Sequence, residues 1–154
     1  MVALLTDYFR THRIVASRAF AVMGLCVLLV TESAWDSTWL ELGTFLAGVV
    51  LVGIATVGRL WCSVYISGYK TTKLITVGPY SITRNPLYFF SALGFVGVAL
   101  VSEALILPML VVALLMVFTP SVIEQEERVL AAKFGEEFST YCRRTPRFWP
   151  RLSV

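Results

Sequence analysis

Two short polar cassettes hold most of the side chains able to do chemistry: Gly78-Pro79-Tyr80 continuing to Arg84-Asn85-Pro86-Leu87-Tyr88, and Glu126-Glu127 continuing to Phe134-Gly135. Arg84 is suited to a carboxylate of the fold or to a substrate anion. Asn85, directly before Pro86, suits a helix N-cap with proline in the first helical position, and its amide can also meet a ligand. Leu130, Phe134, Phe138 and Tyr141 recur at helical spacing. Glu126 extends that apolar stripe one turn backwards, while Glu127 is rotated off it. A carboxylate on an apolar stripe needs a cation or a donor, which Arg84 or a positively charged ligand can supply. Arg84 and Glu127 are the candidates for a direct catalytic role. His12 is the single histidine and lies in a basic N-terminal arm. Histidine-based triads and imidazole metal clusters are therefore excluded, and no metal site is expected.

The elements that must position these residues read as membrane helix. In 154 residues, 57% are hydrophobic and 15% charged, and the mean hydropathy is +0.76. That is too apolar for a soluble domain of this size. The expected fold is an all-α integral membrane protein, one domain over residues 1–154. About four transmembrane helices lie near 14–30, 38–60, 87–101 and 104–122, followed by a C-terminal amphipathic helix over 123–142. The third span is short for a hydrocarbon core about 30 Å thick and sits at the limit of full crossing. Between the second and third spans, residues 71–86 have no helical period, and Gly78-Pro79 marks a turn. Backbone groups left free in such a loop can serve a ligand's polar edge.

The basic residues set the topology. Arg10, Arg13 and Arg18 lie before or at the start of the first span, Arg59, Lys70, Lys73 and Arg84 run from the end of the second to the third, and the remainder follow the fourth, while the opposite loops carry only acids. The positive-inside rule then places both termini and both cassettes in the cytoplasm, with Trp35 and Trp39 at the outer interface and Trp61, Tyr65 and Trp149 at the inner one. The net charge of +3 fits this topology and contact with anionic lipid rather than nucleic-acid binding. An uncleaved first span is expected, and the odd set Cys26, Cys62 and Cys142 is expected to be free thiols. Gly94 and Gly97 suit close approach of the third helix to a neighbour. Gly43, Gly48, Gly53 and Gly58 scatter around the second and suit ordinary packing.

The ordered succession Leu74-Ile75-Thr76-x-Gly78-x-Tyr80, Arg84-x-Pro86-x-Tyr88, Glu126-Glu127-x-x-Leu130-x-x-x-Phe134-Gly135-x-x-Phe138-x-x-Tyr141 and Pro146-Arg147-Phe148-x-Pro150 resembles the isoprenylcysteine carboxyl methyltransferase family, whose superfamily includes the membrane phospholipid methyltransferases. The likeness runs from Thr72 to Pro150, and the first two spans add almost nothing to it. It implies an integral membrane methyltransferase that takes S-adenosylmethionine from the cytosol and methylates a lipophilic small-molecule or lipidated acceptor reached from the bilayer. By that resemblance, cofactor contacts fall on Thr72, Lys73, Leu74, Ile75, Tyr80, Asn85, Tyr88 and Glu126. Members often have His at the position of Asn85, which cannot titrate. They tend to have Gly where Phe90 stands, and the eukaryotic prenylcysteine enzymes have a substrate-binding Arg where Val122 stands. The acceptor stays open among prenylcysteine, phospholipid amine, thiol and another small lipophile, and the compact architecture suggests a bacterial or archaeal inner membrane. Two other classes are compatible with the pattern: a nicotinamide-dependent membrane reductase related to sterol reductases, and a non-catalytic membrane protein.

Overall fold

The computed structural model describes residues 38–67, 73–102 and 106–151, all within the unit Ala34–Val154. The expected first span, Cys26 and Thr72 lie outside the described residues. Among those described, all regular structure is helical: α1 (Thr38–Ile66), the four-residue α2 (Pro79–Ile82), α3 (Pro86–Val101) and α4 (Ile106–Arg144).

Apolar composition and length decide which helices can cross a bilayer. At about 1.5 Å per residue, the 29 residues of α1 reach roughly 43 Å, beyond the hydrocarbon thickness, and α4 with 39 residues is longer still. Both are apolar enough to span a membrane. The 16 residues of α3 make roughly 24 Å and fall short alone. Val50, Val57, Val64, Met116, Val117 and Phe118 are exposed on α1 and α4. So much outward apolar surface suits lipid, not water.

Two boundaries differ from the sequence expectation. The helix expected over 38–60 continues to Ile66, because Leu60-Trp61-Cys62-Ser63-Val64-Tyr65-Ile66 contains no breaker. The expected span 104–122 and the amphipathic helix 123–142 form one element, α4, which passes through Pro120 and changes direction only at Gly135 (φ 51°, ψ −118°). Proline removes one backbone donor and does not stop the helix. A residue with a Cβ would be strained in the Gly135 conformation.

α1 and α3 pack antiparallel along a seam of small residues. Gly48 lies against Gly97, Ala55 against Gly94, and Gly58 under the ring of Phe90. A Cβ built on Gly48 would stand 2.7 Å from the carbonyl oxygen of Gly97, so the two backbones touch. Gly43 and Gly53 face open space. Gly94 and Gly97 thus act as the sequence indicates. Phe90, placed where the family tends to have glycine, fills the hollow left by Gly58.

Candidate functional site

The two cassettes meet, and a third segment joins them. Gly78 takes φ 62° against the Tyr65 ring, which starts α2 at Pro79 and turns the chain toward Arg84. Beyond the break at Gly135, α4 lays Phe138 and Tyr141 on Leu74, with Leu130, Phe134 and Cys142 around them. The apolar stripe therefore rests on the bundle, through the loop residue Leu74. Tyr141 Oη donates to the backbone oxygen of Tyr80 at 2.6 Å. After α4 the chain doubles back. Arg84 N donates to Pro146 O at 2.9 Å, Arg151 N to Ile82 O at 3.1 Å, and Thr83 Oγ1 to Phe148 O at 3.0 Å. Residues 146–151 thus form a strap alongside 82–85.

At the centre stands Glu127. Its Oε1 is 3.1 Å from Arg84 Nη1 and its Oε2 is 3.1 Å from Arg147 Nε. Arg84 and Glu127 are largely buried, with side chains 14% and 18% exposed. Arg84 Nη1 also lies against Cys142 Sγ, while Arg84 Nε and Glu127 Oε1 lack a directed hydrogen bond. The Arg84–Glu127 approach is therefore held by charge more than by hydrogen-bond geometry. Four residues past Arg84, in the first turn of α3, Tyr88 Oη donates to Glu126 Oε1 at 2.7 Å.

Two sequence expectations are corrected here. Glu126 is the exposed carboxylate and Glu127 the partly buried one, the reverse of the periodicity argument. Before Gly135 the inward face runs through Ile123, Glu127, Leu130 and Phe134, so the step back from Leu130 is three residues, to Glu127, and not four, to Glu126. Arg84 accordingly pairs with Glu127, not Glu126. Asn85 stands at the N-cap position of α3, with Pro86 as the first helical residue, yet makes no side-chain cap. Its Nδ2 donates instead to Arg147 O at 2.9 Å, which fastens the strap.

The other expected contact residues are spread around this centre. Lys73 is exposed, Ile75 half-buried and Leu74 buried in the Phe138–Tyr141 cluster. Tyr80 is buried at 8% exposure, and its hydroxyl has no hydrogen-bond partner. Burial pushes the Tyr80 phenol above its ordinary range, with Cys62, Tyr141 and Glu126 adding to the rise. Burial likewise raises Tyr141, which Arg84 partly opposes. Both phenols therefore stay protonated, as donors, at neutral pH. Cys62 and Cys142 are free thiols. Arg147 escaped the sequence reading of the ion cluster, although it sits in the quoted Pro146-Arg147-Phe148-x-Pro150 motif.

Two cavities flank the cluster. One of about 680 Å³ opens between Thr76, Ser81, Glu136, Thr140, Arg144 and Arg151. None of the expected cofactor contacts lines it. The second, about 280 Å³, is apolar and lined by Trp61, Pro79, Pro86, Phe89, Phe90 and Pro150.

The model of the phospholipid methyltransferase family matches residues 42–137. The chain belongs to that family. The match takes in α1, both cassettes and the helix up to the Gly135 break, so α1 contributes to a likeness that the sequence motifs had placed in the C-terminal half. The family is one of membrane methyltransferases, in keeping with the two spanning-length helices. Among curated proteins, the chain is 41% identical over 150 residues to the nickel-cobalt-cadmium resistance protein NccN of Alcaligenes xylosoxydans xylosoxydans, covering 97% of this chain and 70% of that one. It is 42% identical over 150 residues to the cobalt-zinc-cadmium resistance protein CzcN of Cupriavidus metallidurans, covering 97% and 69%. No solved structure matches.

Proposed function

We propose that this family member is an S-adenosylmethionine-dependent methyltransferase acting on a lipophilic acceptor, a carboxylate, amine or thiol, at the cytoplasmic face of a bacterial or archaeal inner membrane. The observation that carries the reading is the Tyr88–Glu126 hydrogen bond beside the Arg84–Glu127–Arg147 cluster. It joins the loop-side and helix-side cassettes into one polar corner on otherwise apolar helices.

The residues present fit such a cofactor. Glu126 offers an exposed carboxylate whose orientation Tyr88 fixes, which suits an ammonium group or the field of a sulfonium. The Tyr80 hydroxyl, buried and without a hydrogen-bond partner, is a donor left for a ligand's polar edge to satisfy. When bound, the cofactor supplies a methyl group on a positively charged sulfur, already activated for attack. What remains for the protein is to orient the acceptor and keep water out. Arg84 and Glu127 neutralise each other, and we assign them a positioning role: they hold loop, helix and strap in register. Glu126 serves as a counter-charge rather than a base. A part in metal resistance, as two relatives are named, would then be indirect, through a modified membrane component.

Calorimetric titration of the detergent-purified protein with S-adenosylmethionine tests this. Wild type binds. Glu126→Gln weakens binding by about tenfold, the scale of one charged hydrogen bond, and Asn85→Ala weakens it through the loosened strap. Glu124→Gln, on an exposed carboxylate paired to Arg128 at i,i+4, leaves binding unchanged. Undiminished binding in both Glu126→Gln and Asn85→Ala would overturn the assignment.

A further inference from the structure

One charge in the apolar part of the molecule is not used by the cofactor corner. Arg59 is the only basic residue of α1, seven residues from its end at Ile66, or roughly 10 Å along the axis. That is close to Trp61 and Tyr65, the aromatics expected at the inner interface, the level at which the anionic groups of membrane amphiphiles lie. Arg59 is exposed, and among the described residues its guanidinium meets Ser91 Oγ of α3 and no carboxylate. Ser91 Oγ in turn donates to Leu87 O at 2.5 Å, which leaves its oxygen to accept from the arginine. The serine thus braces one edge of the guanidinium, and several of its five N–H donors stay available.

The direction of that brace matters. Taking Phe90 as the side of α3 that faces α1, about 100° per residue puts Leu87, Ser91 and Tyr88 successively further round the same flank, at roughly 60°, 100° and 160°. Tyr88 is where α3 meets Glu126. Ser91 and Tyr88 are three residues apart, so their Cβ atoms are about 5–6 Å from each other. Arg59 therefore stands at the near end of a polar arc that ends at the Tyr88–Glu126 pair. The apolar cavity lined by Phe89 and Pro86 lies on the opposite flank. An arginine that only reached for the membrane surface would extend along its own helix; this one is turned across to α3.

We propose that Arg59, braced by Ser91, anchors the anionic group of the membrane acceptor, a phosphodiester or a carboxylate borne on an apolar tail. The assignment rests on the methyltransferase reading and adds to it where the acceptor sits: anion at Arg59, reacting atom toward Tyr88 and Glu126, tail among the exposed side chains of α1.

The test uses the purified protein in neutral detergent, titrated with dioctanoyl phosphatidylglycerol, decanoate, uncharged dioctanoylglycerol and inorganic phosphate, with S-adenosylmethionine titrated into the same samples. At least one anionic amphiphile binds about tenfold more tightly than the uncharged one, the scale of one charged contact. Arg59→Gln abolishes that preference, Arg59→Lys keeps part of it, and Ser91→Ala reduces it less than Arg59→Gln does. Affinity for S-adenosylmethionine stays within about twofold of wild type in all three variants, which also reports that they are folded. An undiminished preference in Arg59→Gln overturns the proposal, as does inorganic phosphate binding as tightly as the amphiphiles. A wild-type protein that ignores S-adenosylmethionine but shows the Arg59-dependent preference would refute the methyltransferase reading and leave the anion anchor standing.

Discussion

The α1–α3 seam and the Glu127 cluster hold this molecule together by opposite means. Apart from the Arg59–Ser91 contact at its edge, the seam rests on shape: Gly48 on Gly97, Ala55 on Gly94, Phe90 over Gly58. Lipid is as apolar as the side chains, so helices gain little by hiding them from it and depend on close contact. At the cluster, shape counts for little and charge for much: two arginines share one carboxylate, and the strap is tied on by backbone and amide hydrogen bonds. The seam should therefore be sensitive to volume and indifferent to salt and pH, and the cluster the reverse.

Substitutions sharpen that contrast. Gly48→Leu forces a side chain into the Gly97 backbone and should cost the most, about 3 kcal/mol or more, seen as a large drop in the thermal midpoint in detergent that added salt does not alter. Glu127→Ala strands Arg84 partly buried and should cost about 2 kcal/mol, since removing one partner of such a pair leaves an uncompensated charge. A salt-independent loss there, or a salt-dependent one at Gly48, would break the comparison.

Tyr141→Phe removes the donor to Tyr80 O and should cost about 1 kcal/mol. The same variant bears on pH. The folded phenol titrates above its ordinary value of about 10, so above that pH the unfolded chain loses a proton that the folded one keeps, and stability falls as pH rises further. The thermal midpoint of Tyr141→Phe should decline less above pH 10 than that of wild type.

Much of this was legible in the residues. Apolar runs marked α1 and α3, Gly94 and Gly97 announced a close neighbour, and the pairing of Arg84 with a carboxylate of the fold followed from the chemistry of a guanidinium beside an apolar helix. Which carboxylate it chose did not. That depends on the phase of α4: Glu126 and Glu127 stand four and three residues before Leu130, both spacings share a helix flank, and the buried Ile123 one turn earlier is what selects Glu127. The role of Asn85 was hidden for a related reason. Asn before Pro is a sound local signal for a cap, but the amide is oriented by donating Nδ2 to a strap carbonyl 62 residues away, and its oxygen makes no cap. Local rules read local geometry; the strap is tertiary.

That strap also sets an order of events during synthesis. Arg84 emerges from the ribosome well before Glu127, and Asn85 before the carbonyl of Arg147. A nascent chain can settle α1 against α3 by steric fit alone, while the guanidinium at the helix entrance keeps its water until the distal residues arrive. The polar corner is thus the last part to be sealed, and the lipid-facing scaffold is in place before any ligand can find a finished pocket.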